Sequence, residues 1–174
     1  HPAAARGAGL MAMVEVVIES EEWDALPEIE TVIATAVNAA LAGCGLITLP
    51  DAEVAVLLTD DEGIAALNAR WRGKPTPTNV LSWPAVAPKL IALSPMIGDI
   101  ALAYETCARE AGAEGKTFSD HIAHLCVHGT LHLAGHDHET ASEAEAMEAL
   151  ERRILAGLGI ADPYASPDIG EVTS

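Results

Sequence analysis

The sequence predicts an α+β fold, a single domain with a mixed β-sheet of about four strands and about five helices. Three observations predict it. The chain has 174 residues, half of them hydrophobic, which is one domain's length with enough apolar surface for a sizeable core. Short β-branched runs alternate with helix-spaced segments up to Ala103. Beyond Tyr104 the pattern is helical only. Aromatic residues make up just 3% of the chain, so aliphatic residues and alanine must fill the core.

The elements follow in order. Val14 to Ile18 is β-branched and ends at the polar run Glu19–Glu22, which predicts a strand. Pro27 to Ala42 predicts a helix: Pro stands in its first turn, Gly43 and Gly45 at its end. Its apolar positions Ile29, Val32, Ile33, Ala36, Val37, Ala40 and Leu41 share one face. A second strand is expected over Glu53–Leu58, then a helix capped by Thr59 or Asp60 and running to Arg70. Residues 72–79, dense in Pro and Thr, read as a loop. Strands follow at Val80–Trp83 and Ile97–Ala103, separated by a Pro-punctuated loop. Helices are expected at Tyr104–Ala111, Phe118–Ala134 and Ser142–Ala156, the last opening on the capping-box pattern Ser142-x-x-Glu145. The domain spans 13–164. Residues 1–12 lack an apolar stretch of roughly 7–15 residues, so they read as a disordered arm or an expression remnant rather than a signal peptide. Residues 165–174 read as a flexible tail.

Charge narrows the function. There are 26 acids against 9 bases, a net charge of −17, so the average surface repels polyanions. One window differs. From Gly63 to Gly98 there is no Asp or Glu in 36 residues, while Arg70, Arg72, Lys74 and Lys89 fall inside it. That segment predicts a phosphate-facing rim, with Arg70, Lys74 and Lys89 as RNA-binding residues. No stretch approaches the roughly 18 apolar residues of a membrane span. Cys44, Cys107 and Cys126 are odd in number and lack CxxC spacing, which fits reduced thiols in a cytoplasmic protein.

Five of the seven histidines lie in HLCVHGTLHLAGHDH, residues 124–138. His124, His128 and His132 recur every fourth residue and so share one helical face. The outer two stand about 12 Å apart along the axis, too far to share one ion easily. A third ligand must come from where the chain turns back. Gly135 is a natural helix stop, and His136, Asp137 and His138 follow it. The pattern read is His128-x3-His132-x2-Gly135-x2-His138, three histidines with an open fourth position, as catalytic metals use. His136 remains an alternative third ligand. Asp137 either orients a histidine ring or caps the turn. The same spacing occurs in zinc metalloproteases of the metzincin type, but their general base, a Glu after the first His, is here Gly129.

HGTLHLAGHDH closely resembles the signature of the YbeY family of bacterial rRNA maturation factors, HGxLHLxGYDH. Two further segments match in order: Leu67 to Lys74 with Pro77-Thr78-Asn79-Val80-Leu81-Ser82-Trp83, and Gly98-Asp99-Ile100. The resemblance runs from about residue 50 to Tyr164 and more weakly back to Val14. It implies a metal-dependent, single-strand-specific endoribonuclease of 16S rRNA 3′-end maturation and ribosome quality control. It implies His128, His132 and His138 as ligands of one Zn2+ per chain and Arg72 as the catalytic basic residue. The implied partners are single-stranded RNA, the rRNA precursor, the small ribosomal subunit, a small-subunit ribosomal protein and a ribosome-associated GTPase. His136 departs from the family's Tyr, Trp83 from its Phe, and Pro75 stands where an acid is common. Two alternatives stand beside this reading: a ribosome-assembly binding factor with a structural metal, and a zinc metalloprotease.

Overall fold

The computed structural model describes residues 12–165. The arm and tail expected at 1–12 and 165–174 lie outside the described residues, Ala12 and Ala165 excepted. Four strands, β1 (Met13–Ile18), β2 (Glu53–Thr59), β3 (Val80–Pro84) and β4 (Met96–Ala103), form one sheet in the order β1-β2-β4-β3. β1 with β2 and β2 with β4 are parallel, and β3 with β4 is antiparallel, so the sheet is mixed as expected. The helices are α1 (Ile29–Gly43), α2 (Asp61–Arg72), α3 (Tyr104–Glu114), α4 (Phe118–Leu133) and α5 (Ala141–Gly157).

Local chemistry sets the helix ends. Asp60 caps α2 by accepting from the Gly63 N–H at 2.8 Å, and Thr117 caps α4 by accepting from the Asp120 N–H at 3.1 Å. Each such cap contributes about 1 kcal/mol. The capping box of α5 is Thr140 with Glu143, not Ser142 with Glu145. Two overlapping frames carry the same pattern, and the earlier one, two residues upstream, starts the helix at Ala141. α2 runs to Arg72, past the expected end at Arg70, because Gly73 at φ +71° supplies the left-handed stop. Two 3-10 turns, Glu21–Ala25 and Pro88–Leu93, occupy segments expected as loop. The first buries Trp23 against Tyr104 and Phe118, with its indole N–H donating to the Thr59 carbonyl at 2.8 Å.

The two faces of the sheet are covered unequally. Val56 and Leu58 of β2 with Ile100 and Leu102 of β4 join α1, α4 and α5 in the main core. On the other face, Ile64 of α2 packs with Leu81, Ala101 and Ala103. α4 is the central helix, with 11 of its 16 residues buried, so its histidines must find partners inside the protein or at the end of a cleft. Gly129 lets it lie close on the sheet: a Cβ there would stand 3.3 Å from the Ile100 side chain.

Candidate metal centre

The site is built by α4 and the turn after it. Gly135 has φ +102°, a conformation that favours glycine, and a Cβ there would meet the Pro88 ring at 2.8 Å. The chain reverses, and the His136 N–H donates to the Leu131 carbonyl at 2.9 Å. Asp137 Oδ1 accepts from the His138 N–H at 2.7 Å, so this carboxylate caps the turn. The reversal brings His138 back beside His128 and His132. Ring centroids are 4.7 Å apart for His128 and His132, 5.0 Å for His132 and His138, and 5.6 Å for His128 and His138.

One ring nitrogen from each of these three histidines lies within 4.8 Å of the others. That is close enough for all three to hold one ion through bonds of about 2.0–2.1 Å. His136 lines the same cleft but stands outside the group. Burial holds the His132 ring at a pKa of about 4, with the neighbouring His128 and His138 acting the same way. His132 is therefore neutral near pH 7, as a ligand must be. A three-imidazole donor set suits zinc, copper, iron or nickel better than magnesium or calcium.

Behind His128 lies a carboxylate that sequence reasoning missed. Glu151 of α5 is fully buried. Its Oε2 accepts from His128 Nδ1 at 2.7 Å, and its Oε1 accepts from His124 Nε2 at 2.9 Å and from the Tyr164 hydroxyl. Burial alone would raise this carboxyl, but the three donors outweigh it and hold the group down at about 2. His124 Nδ1 is buried without a partner, as befits the lone-pair nitrogen of a ring that donates through Nε2. One signal could have revealed Glu151. It shares the buried stripe of α5 with Met147, Ile154 and Leu155, where a carboxylate is out of place. Tyr164 had no comparable signal.

His121, one turn before His124, is bound elsewhere. Its Nε2 donates to Glu110 Oε1 at 2.8 Å, and its Nδ1 accepts from Lys116 Nζ at 3.3 Å. The same Glu110 oxygen accepts from Asn79 Nδ2 at 2.9 Å, which fixes Asn79 on the cleft wall.

Arg72 lines the same cleft of about 700 Å³ as the histidines. It is exposed, and its Nη2 donates to the Ser82 carbonyl at a long 3.5 Å. Arg70, Lys74 and Lys89 are also exposed but lie outside the cleft lining, and the Arg70 guanidinium sits over the Trp71 ring at 5.8 Å. Among the described residues none of these four bases has a carboxylate within ion-pair distance. Arg109, Lys116 and Arg152 do, with Asp61, Glu114 and Asp162. Arg153, beside the Gly43 carbonyl, also has no such partner among the described residues, so the bases of the acid-free window share this state with one arginine away from the cleft. The protease reading fails on geometry as well as sequence, because position 129 faces Ile100 in the core.

Comparison with known proteins follows the same lines. A family model described as endoribonuclease YbeY matches residues 17–159. An endoribonuclease YbeY of Rhodopseudomonas palustris is 57% identical over 159 residues, 88% of this chain and 91% of that protein. One of Nitrobacter winogradskyi is 54% identical over 160 residues, 90% of this chain and 84% of that protein. One of Methylocella silvestris is 47% identical over 155 residues, 89% and 87% of the two. A solution structure from Thermotoga maritima shares the fold, with a TM-score of 0.51 at 22% identity over 88% of this chain and 100% of that one.

Proposed function

The chain belongs to the endoribonuclease YbeY family, and from that premise we propose that it is a metal-dependent endoribonuclease that cuts single-stranded RNA, with His128, His132 and His138 as ligands and Arg72 at the scissile phosphate. The observation that carries this reading is the convergence of three ring nitrogens within 4.8 Å in a cleft whose wall holds an arginine with no carboxylate partner among the described residues.

The ion, when bound, acidifies a water and polarises a phosphoryl oxygen. The chain's own residues do the rest. His128 and His132 come from a rigid buried helix, and His138 closes the set from the turn. Arg72 offers a planar fork to the phosphate, a contact that strengthens as charge builds in the transition state. Among the described residues no carboxylate lies within ion-pair distance of it. Arg70, Lys74 and Lys89 guide the strand electrostatically and carry the salt dependence of binding.

The finer assignments follow from the family. The resident ion is one zinc per chain, the substrate is the 3′ region of the 16S rRNA precursor, and the setting is the cytoplasm. The partners are the small ribosomal subunit, a small-subunit ribosomal protein and a ribosome-associated GTPase. Incubating purified protein with an unstructured RNA, a duplex of the same sequence and unfolded casein tests the reading. Only the single strand should be cut, and His128→Ala should abolish that cleavage. Chelator-sensitive casein cleavage, or equal cleavage by His128→Ala, would overturn it.

A further inference from the structure

Glu151 sits on α5, a helix that carries none of the three clustered histidines, yet it reaches through the core to His128. Isolated buried carboxylates are costly, so three donors converging on this one call for an explanation. An ionised carboxylate has only acceptors, so the ring nitrogens facing it must carry protons. His128 therefore holds its proton on Nδ1, which leaves the Nε2 lone pair for the ion. His124 and Tyr164 occupy the other oxygen and prevent the carboxylate from swinging away. Tyr164 is itself fixed: its N–H donates to Asp162 Oδ1 at 2.8 Å, and the Arg152 guanidinium covers its ring at 5.5 Å while pairing with Asp162 at 3.2 Å. Among the described residues neither His132 nor His138 has a side-chain carboxylate on its ring.

We propose that Glu151 is the positioning residue of the metal site, fixing the tautomer and orientation of His128, with Tyr164 and His124 holding Glu151 in register. The proposal rests on the three-histidine site above. His128 is then the pre-set ligand beside which His132 and His138, the most exposed of the three, complete the set. The segment after α5 becomes part of the site from behind, without touching substrate.

A buried tether between α4 and α5 would predict loss of stability alone. A positioning role predicts loss of metal affinity. Zinc affinity is measured by competition with a chromophoric chelator, and metal-free Tm separately, for the wild type, Glu151→Gln and Tyr164→Phe. Glu151→Gln keeps the shape but must turn an amide N–H2 toward at least one donor. It should weaken zinc binding by about 10–100-fold. Tyr164→Phe removes one hydroxyl, leaves the carboxylate in place and should weaken zinc binding severalfold. Excess zinc should restore much of the RNA cleavage in both variants. Should Glu151→Gln fail to fold, Tyr164→Phe carries the test. Wild-type affinity in the folded variants, with only metal-free Tm lowered, overturns the positioning role and leaves the metal site standing. A wild type that binds no zinc overturns the site and this role together.

Discussion

Two pairs of histidines on one helix meet opposite fates. His121 and His124, at the N-terminal end of α4, are buried and committed to carboxylates, Glu110 and Glu151. His128 and His132, one and two turns further on, are half-buried and turn a nitrogen toward His138 and the cleft. Residue type is the same throughout and all four recur at helical spacing, three residues once and four twice, so neither decides which histidines can bind an ion. What decides is the surroundings. The first pair is enclosed by α3, α5 and the turn at Lys116, and the second faces the point where the chain reverses at Gly135. His128 belongs to both worlds, with one nitrogen on Glu151 and the other free.

That contrast is broken most severely by removing the open set. His128→Ala, His132→Ala and His138→Ala should each lose the ion, a larger effect than the roughly 10–100-fold expected from the outer carboxylate. Mass-spectrometric metal counting checks this, and His124→Gln should retain the ion. Full retention in His138→Ala would make His136 the third ligand. Next in size is Arg72→Ala. Its single-turnover cleavage at saturating protein should fall by about 10²–10³-fold, with little rescue by lysine. Arg70→Ala and Lys74→Ala should instead weaken RNA binding and flatten its salt dependence. An unchanged saturating rate in Arg72→Ala would reduce it to one more steering charge.

All four strands and all five helices were legible in the sequence, because β-branched runs and 3–4 spacing report directly on burial. The differences fell at ends, where two capping frames overlapped at Thr140 and Ser142 and where Gly73 allowed α2 two further residues, and in the two 3-10 turns expected as loop. The three histidines were legible because a helix face and a glycine stop fix their relation locally. Glu151 was not, because its partners are 23 and 27 residues away and only the packing of α5 on α4 brings them together. Asp137 showed the converse: adjacent in sequence to a proposed ligand, it serves the backbone of the turn.

Two smaller effects sharpen the contrast between the core and cleft sides of α4. Gly129→Glu would push a carboxylate into Ile100 and should cost about 1–3 kcal/mol from overpacking, read as a lower Tm, while conferring no cleavage of casein. His121 is smaller still. Burial lowers its pKa, while Glu110 and Glu114 oppose the shift and Lys116 adds to it, with the His124 ring packed alongside at 6.2 Å. The unfolded chain takes up this proton near pH 6.5 while the folded one resists it, so stability is present above about pH 6.5 and lost as pH falls. Tm measured from pH 7.5 to 5 should fall less steeply for His121→Gln than for the wild type. Identical slopes would show that His121 is not held neutral by the fold.

The central claim is that the three open histidines hold the ion with which this chain cuts RNA. Titrating zinc into metal-free protein during single-turnover cleavage of an unstructured RNA tests it most directly. Cleavage should be absent without metal, rise linearly and reach its plateau at one zinc per chain. RNA that binds but stays intact at every zinc loading would contradict the account and leave an RNA-binding factor with a structural ion.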